Sequence, residues 1–479
     1  MQYIVRFGSD IVIKSSRIRV QFVRRMVANI QAGFKARGIK AEIKKEWGRL
    51  LVRSDDLATP DLLTRVFGVC SVAEIDHVCA ADISQITKFT SFYQNKVAGK
   101  TFAVRVKRVG IHSFSSVDLA KKVAETVFSQ AKGVDLKNPD VEIFVEVREN
   151  EAIMFSERRL GPSGLPLGVG GRALCLLSGG FDSAVAAWMM QKRGTEVDYL
   201  FCNLAGAAYE KSVLALAKFL TDEWSFGSAP KLFVVDMNPV VQEIVQKVKP
   251  PYAQIVLKRV LYRLAEAFAA DTGAEAIVTG ECLSQVSSQT LPNLRSIEAA
   301  IELPVFRPLL CFDKEQIIAD TRRIGTYPIS AGVEEYCQLV PDKPVTACTV
   351  ALAALHEGTM DLSILKAAYE SARAINLSTL SPADLVTPYL YTDEIRSSDV
   401  VIDCRSSDAY ALWHHERAVN IEFYELLTAH DKLKKNDRHV LYCPIGLQSA
   451  VLAEKLQKLG YDAFSFRGGM SGLKTYLAK

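Results

Sequence analysis

The chain has 479 residues, 49% of them hydrophobic and 23% charged, the make-up of folded globular protein, and at roughly 100–200 residues per domain it calls for three or four domains. Disorder over most of the length is excluded. No apolar run of about 18 residues calls for a membrane helix, and no leader opens the chain, so a cytoplasmic protein with no membrane partner is expected. The net charge of +4 hides an asymmetry: residues 1–172 carry 28 Lys and Arg against 18 Asp and Glu, the rest 30 against 36. A basic front third suits a polyanion. Ten scattered cysteines without a CxxC pair argue against a structural zinc site and leave thiols that matter through reactivity.

Residues 1–75 read as a small α+β module. Tyr3–Phe7 is a short apolar strand. Ser15 or Ser16 opens a helix with Val23, Val27, Ile30 and Phe34 at helical spacing. Residues 41–54 read as strands turning at Gly48. A second module follows over 76–171. There Thr101–Lys107 alternates, with Val104 and Val106 on one face and Arg105 and Lys107 on the other. Residues 117–128 read as a helix and 141–147 as a strand. The run Gly161-Pro-Ser-Gly-Leu-Pro-Leu-Gly-Val-Gly-Gly171 forms a loop and a domain boundary.

From Arg172 to about 350, apolar runs at 173–177, 197–202, 232–236 and 275–279 alternate with helical segments. That alternation is the signature of a doubly wound parallel sheet. The first run leads directly into Ser178-Gly179-Gly180-Phe181-Asp182-Ser183 and then a helix. Two glycines let the backbone turn and approach a ligand closely. Amides at a helix N-terminus favour an anion, and Ser178 and Ser183 add hydroxyls. A carboxylate repels phosphate, so Asp182 makes sense as the ligand of a magnesium ion that accompanies phosphates. The spacing is neither that of a Walker loop nor that of a GxGxxG dinucleotide loop.

Residues 351–385 read as a mostly helical connector. A final α/β block over 386–479 has strands at 400–403, 439–443 and 462–466. The run Val440-Leu-Tyr-Cys443-Pro-Ile-Gly446-Leu-Gln-Ser449 goes from strand into a helix beginning near Ser449. A cysteine at such a loop, with amides and a helix N-terminus around it, is placed to carry an anionic sulfur.

These motifs carry a family resemblance. SGGFDS at a strand–helix junction resembles the PP-loop of ATP pyrophosphatases, which cleave ATP between the α and β phosphates. Phe201-Cys-Asn203, Ile255-Val-Leu-Lys258-Arg259, Thr279-Gly280-Glu281, Gln285-Val-Ser-Ser-Gln289-Thr, Arg307-Pro308-Leu309, Asp313-Lys314 and Glu335-Tyr336-Cys337 resemble the ThiI family of tRNA 4-thiouridine synthases over nearly the whole chain. Residues 1–75 resemble the ferredoxin-like domain of that family. Arg105-Val-Lys107-Arg108-Val-Gly110-Ile-His112-Ser113 resembles the RNA-binding THUMP domain. The residues around Cys443, with Asp403-Cys404-Arg405 and Arg467-Gly468-Gly469, resemble a rhodanese domain. Tyrosine phosphatases also use a cysteine in such a loop, but they need an Arg where Ser449 stands. Many rhodaneses carry Arg where this chain has Gln448, a departure that weakens a case for thiosulfate chemistry and leaves persulfide transfer intact.

The resemblance implies a multidomain α/β fold: ferredoxin-like (1–75), THUMP (76–171), PP-loop (172–350), connector (351–385) and rhodanese (386–479). It implies ATP and Mg2+ as cofactors. ATP contacts would fall at Leu176, Leu177, Ser178, Gly179, Gly180, Ser183, Asn203, Lys258, Gly280 and Gln289, with Asp182 and Lys314 acting in catalysis. RNA contacts would fall at Arg105, Lys107 and Arg108. Cys443 would receive a persulfide from a cysteine desulfurase, and Cys337 would close a disulfide with it after sulfur reaches a tRNA uridine. The thiamine-pathway sulfur carrier protein is a further implied partner, and a homodimer is left open. Two rivals stand beside this reading: another PP-loop RNA thiolase, such as a 2-thiouridylase, and a tRNA-binding sulfur carrier without ATP chemistry.

Overall fold

The computed structural model describes residues 1–204, 206–331, 343–385, 387–428, 430–444 and 446–478. The chain divides into two compact units, one of residues 1–169 with 192–194, the other of 170–191 with 195–479. No helix among the described residues is long and apolar enough to cross a membrane.

The first unit holds two five-stranded sheets. In one, Gln2–Phe7 lies between Val69–Glu74 and Arg49–Arg53, and every pairing is antiparallel. The hairpin partner Glu42–Glu46 turns at Gly48, whose φ of +75° is open to glycine without cost. The other edge strand is Arg159–Leu160, so this sheet is not built from one continuous stretch of chain. Its helix Ser16–Ala36 buries Val27, Ile30 and Phe34 as expected, while Val23 is only partly buried and Met26 takes a core position beside them. In the second sheet, Thr101–Val109 pairs parallel with Val141–Arg148, whose other neighbour is antiparallel. The helix Ser116–Val127 starts at a capping box of Ser115 and Asp118 and packs Leu119, Val123 and Val127 into the core.

The second unit carries a six-stranded sheet. Its order is Val305–Phe306, Ile277–Val278, Arg172–Leu176, Glu196–Asn203, Lys231–Asp236 and Arg373–Asn376. All pairings are parallel except the last. Strand Arg172–Leu176 has its successor on one side and a later strand on the other. This is the topological switch point, where ligands bind outside the carboxyl ends of the strands. The antiparallel edge corrects the expected connector. Helices Val350–Glu357 and Ser363–Glu370 are present, but Arg373–Asn376 joins the sheet. The covered edge satisfies backbone groups that an open edge would leave bare. Residues 350–376 therefore belong to this fold, and the link to the last sheet is residues 377–390.

That last sheet is five-stranded and wholly parallel, in the order Tyr391–Thr392, Asp462–Phe466, Arg438–Tyr442, Val400–Asp403 and Ala418–Asn420. The architecture is therefore multidomain α/β with one antiparallel, two mixed and one wholly parallel sheet.

Candidate functional site

The strand Arg172–Leu176 delivers the chain into a loop at 177–180, and the helix Phe181–Lys192 leaves it. Gly179 takes φ +85°. Ser183 ties the loop to the helix: its hydroxyl accepts from the Ser178 N–H at 3.2 Å and lies 3.3 Å from Ser178 Oγ. The first amides of a helix have no partner in the helix itself, so they face the loop's concavity as anion donors. Gly280 comes so close that a Cβ there would lie 2.6 Å from the Asp182 carbonyl carbon and 2.6 Å from the Ser183 nitrogen. Only glycine lets these two backbones meet.

Asp182 is buried and pinned from two sides. Its Oδ1 accepts from Lys314 Nζ at 2.7 Å, and its Oδ2 from Gln285 Nε2 at 2.9 Å. Lys314 opens the helix Lys314–Ile324, which is capped by Asp313, and its ammonium also sits 5.6 Å from the Phe181 ring centroid. A cavity of about 260 Å³ opens beside the loop. Leu176, Leu177, Ser178, Asp182, Ser183, Lys258, Gly280 and Gln289 line it, together with apolar Leu200, Leu257, Leu261 and Val286. Gln289 Oε1 is buried without a hydrogen-bond partner among the described residues.

One wall is a charged network of which only Lys258 is an expected site residue. Glu281 accepts from Lys258 Nζ at 2.7 Å, Tyr262 OH at 2.6 Å, Arg307 Nε at 2.9 Å and Thr279 Oγ1 at 3.1 Å. Burial pushes its carboxyl up, but the Lys258 and Arg307 charges and these hydrogen bonds outweigh it and hold the group at about 2. Burial and the neighbouring Glu281 charge push the Tyr262 hydroxyl well up. The signal was present in the Thr279-Gly280-Glu281 run. Its partners lie 19, 23 and 26 positions away, so no local pattern joins them.

Most of the expected nucleotide residues thus converge on one cavity; Gly179 and Gly180 shape its loop without being among the lining residues, and Lys314 reaches it through Asp182. Asn203 differs. Its amide donates to Gly206 O and Glu210, and its Oδ1 accepts from the Gly206 N–H. It shapes the turn after its strand and is not among the cavity's lining residues.

In the last sheet, Cys443 directly follows the strand Arg438–Tyr442, and the helix begins at Leu447, two residues earlier than expected. Three donors converge on Cys443 Sγ: the Gly446 N–H at 3.2 Å, the Ser449 N–H at 3.5 Å and the Ser449 hydroxyl at 3.3 Å. That is the surrounding a sulfur anion needs. Gly446, at φ +88°, makes the turn possible. Ser449 takes the place of a phosphatase arginine and serves the sulfur directly. Cys404 is buried, and burial together with Cys443 and Asp403 pushes its thiol well up, in keeping with a structural role. Cys348 is likewise buried and its thiol raised by burial. Cys337 lies outside the described residues.

In the first unit, Arg105, Lys107 and Arg108 share the strand Thr101–Val109. Lys107 is exposed. Arg105 binds Glu142 at 2.8 Å and the Leu136 carbonyl at 2.8 Å. Arg108 Nη1 reaches His112 Nδ1 at 3.5 Å. A cavity of about 750 Å³ is lined by Arg105 and Lys107 and also by Arg6, Lys121 and Arg158, three basic residues that no sequence motif marks. Phe144 and Phe155 stack there at 4.9 Å, with Arg158 over one ring and Arg6 over the other.

Family models match along the chain: the ThiI ferredoxin-like domain at residues 2–73, the THUMP domain at 81–157, "Thiamine biosynthesis protein (ThiI)" at 168–362 and the rhodanese-like domain at 387–475. A tRNA sulfurtransferase of Desulfurococcus amylolyticus is 36% identical over 482 residues, covering 100% of this chain and 99% of that protein. A tRNA sulfurtransferase of Escherichia coli strain K12 is 32% identical over 479 residues, covering 96% and 98%. A solved 4-thiouridine synthetase–RNA complex with bound ATP is similar at a TM-score of 0.66 and 30% identity, over 78% of this chain and 98% of that one.

Proposed function

This chain belongs to the ThiI family of tRNA sulfurtransferases, and we propose that it makes 4-thiouridine in tRNA by joining ATP-dependent activation of a uridine to delivery of persulfide sulfur. The observation that carries the reading is the pairing, in one polypeptide, of a phosphate loop beside a half-apolar cavity with a cysteine held by three donors. Residues 1–171 hold the RNA, 172–376 activate it and 391–479 carry the sulfur.

In the activation step O4 of the uridine attacks the α-phosphate of ATP, the bond to the β-phosphate breaks, and pyrophosphate leaves. The loop amides hold phosphate oxygens. Lys258 and Lys314 offset the negative charge that develops during the transfer. The apolar end of the cavity suits a purine ring, and the Gln289 carbonyl is an acceptor for its exocyclic amine. Magnesium fits this donor set: it characteristically takes one or two carboxylates plus substrate phosphates, and Asp182 would supply the carboxylate. When bound it would neutralise phosphate charge.

In the transfer step the terminal sulfur of the Cys443 persulfide bonds to C4, and AMP leaves with the former O4. Cys337, deprotonated, then attacks Cys443 Sγ. The S–S bond breaks, the terminal sulfur stays on the base as the thiocarbonyl, and a Cys337–Cys443 disulfide forms. A thiol reductant supplies two electrons to reset it. The persulfide comes from a cysteine desulfurase. Delivery to the thiamine-pathway sulfur carrier protein needs the same group alone. All nine described cysteines are free, in keeping with a reducing cytosol.

The test is nucleoside analysis of tRNA after incubation with ATP, cysteine, desulfurase and the protein. The reading expects 4-thiouridine that disappears without ATP and in Cys443→Ala. Formation of 2-thiouridine instead, or no thionucleoside at all, would overturn it.

A further inference from the structure

Two helices from distant parts of the second unit meet at a buried carboxylate. Ala207–Trp224 follows the strand that ends at Asn203, and Leu447–Lys458 follows the Cys443 loop. Glu454 of the latter is 4% exposed. Its Oε1 accepts from the Ala207 N–H at 2.9 Å and its Oε2 from the Ala208 N–H at 2.7 Å. A carboxylate on the first amides of a helix gains charge-assisted hydrogen bonds and a favourable dipole. Lys458 pairs with the same carboxylate at 2.9 Å. A buried carboxylate is costly unless it is bonded, and its two amide partners lie across the contact, in the nucleotide-binding fold. Gly206 makes room: a Cβ there would lie 2.9 Å from Glu454 Oε1 and 3.0 Å from Lys458 Nζ. Ala208, Leu390 and Ala450 close a small apolar cluster around the contact.

The sequence neighbours of these residues give the contact its consequence. Ala450 follows Ser449, whose N–H and hydroxyl hold Cys443 Sγ. Tyr209 follows Ala208, and its hydroxyl donates to the Ser178 carbonyl in the phosphate loop at 2.5 Å. The first turn of the cysteine's helix therefore packs on the first turn of the helix bonded to the phosphate loop.

Resting on the function proposed above, we propose that Glu454 is a positioning residue for sulfur transfer: it docks the rhodanese domain on the nucleotide domain, and the docked state is the one from which sulfur leaves Cys443. Loading takes sulfur from an outside donor and activation needs only the nucleotide domain and RNA, so neither step depends on this contact. Transfer does.

The experiment uses the full chain carrying Glu454→Ala or Glu454→Gln. Three steps are read separately: persulfide on Cys443 by mass spectrometry, tRNA-dependent pyrophosphate release, and single-turnover transfer of sulfur to tRNA. Loading and pyrophosphate release should match wild type. Transfer should fall roughly tenfold or more in the alanine variant, the scale of lost hydrogen bonds to a charged group, and less in the glutamine variant, which keeps one acceptor. Amide exchange at Ala207 and Ala208 should accelerate. Ala208→Leu, which crowds Ala450 from the other side, should give the same separation of steps. Transfer at or above the wild-type rate in Glu454→Ala, or loss of loading in it, would overturn the assignment. Failure of wild type to load sulfur or to release pyrophosphate would instead overturn the functional reading beneath it.

Discussion

Replacing Glu281 by Gln keeps the volume and removes the charge that Lys258 and Arg307 share. The folded carboxyl sits at about 2 against an ordinary 4.5. At 1.36 kcal/mol per unit, that difference contributes about 3 kcal/mol at neutral pH. Breaking a buried pair by removing one partner typically costs ~3–5 kcal/mol, because the remaining charge is left buried and unpaired. The folded value lies below the unfolded one, so the contribution is fully present above about 4.5 and is lost as pH falls towards 2. Urea unfolding followed by tryptophan fluorescence is a suitable assay, since Trp188 and Trp224 are both buried in this domain. The variant should lose about 3 kcal/mol of unfolding free energy at pH 7, read as a lower urea midpoint, and the gap should narrow below about pH 4.5. Adding Lys258→Met should recover part of the loss by removing the uncompensated ammonium. A gap under about 1 kcal/mol at pH 7, or one that stays constant into acid, would refute the reasoning.

Asp182→Ala should abolish tRNA-dependent pyrophosphate release while Cys443 still loads persulfide; normal release would remove this carboxylate from the mechanism. Ser449→Ala removes one of three donors on Cys443 Sγ and should slow persulfide loading roughly tenfold, measured by the rate of mass gain with desulfurase and cysteine. Deleting residues 1–171 should abolish tRNA affinity, and in the intact chain that affinity should fall steeply with salt, losing roughly 0.7–0.9 in log–log slope per phosphate neutralised. A salt-independent affinity in a filter or anisotropy titration would contradict the basic-patch argument.

What the sequence made legible was local. The run 173–177 followed by Ser178–Ser183 places a strand, a phosphate loop and a helix within 20 residues, and the structure has Arg172–Leu176 and Phe181–Lys192 there. Strand 400–403 matches Val400–Asp403, because four consecutive apolar or buried positions leave no other choice in a parallel sheet. Arg373–Asn376 was missed because three of its four side chains are exposed and alternate with nothing; it is a strand because an edge was there to pair with. Glu281 and Glu454 were missed for a related reason. A buried carboxylate in a sequence looks like any surface charge until its partners, up to 247 positions away, fold around it. Asn203 shows the converse: a motif match marks it for the nucleotide, while it also bonds Gly206 and Glu210 in the turn and helix that follow it.

The central claim is that one chain couples adenylation to persulfide transfer, and a single-turnover experiment addresses it most directly. Protein loaded with 35S on Cys443 is mixed with tRNA and ATP, and pyrophosphate, labelled 4-thiouridine and disulfide-linked peptides are counted together. The account predicts one pyrophosphate per labelled 4-thiouridine and one Cys337–Cys443 peptide per transfer. Label reaching tRNA without ATP, or a Cys348–Cys443 or Cys404–Cys443 peptide in its place, would contradict it.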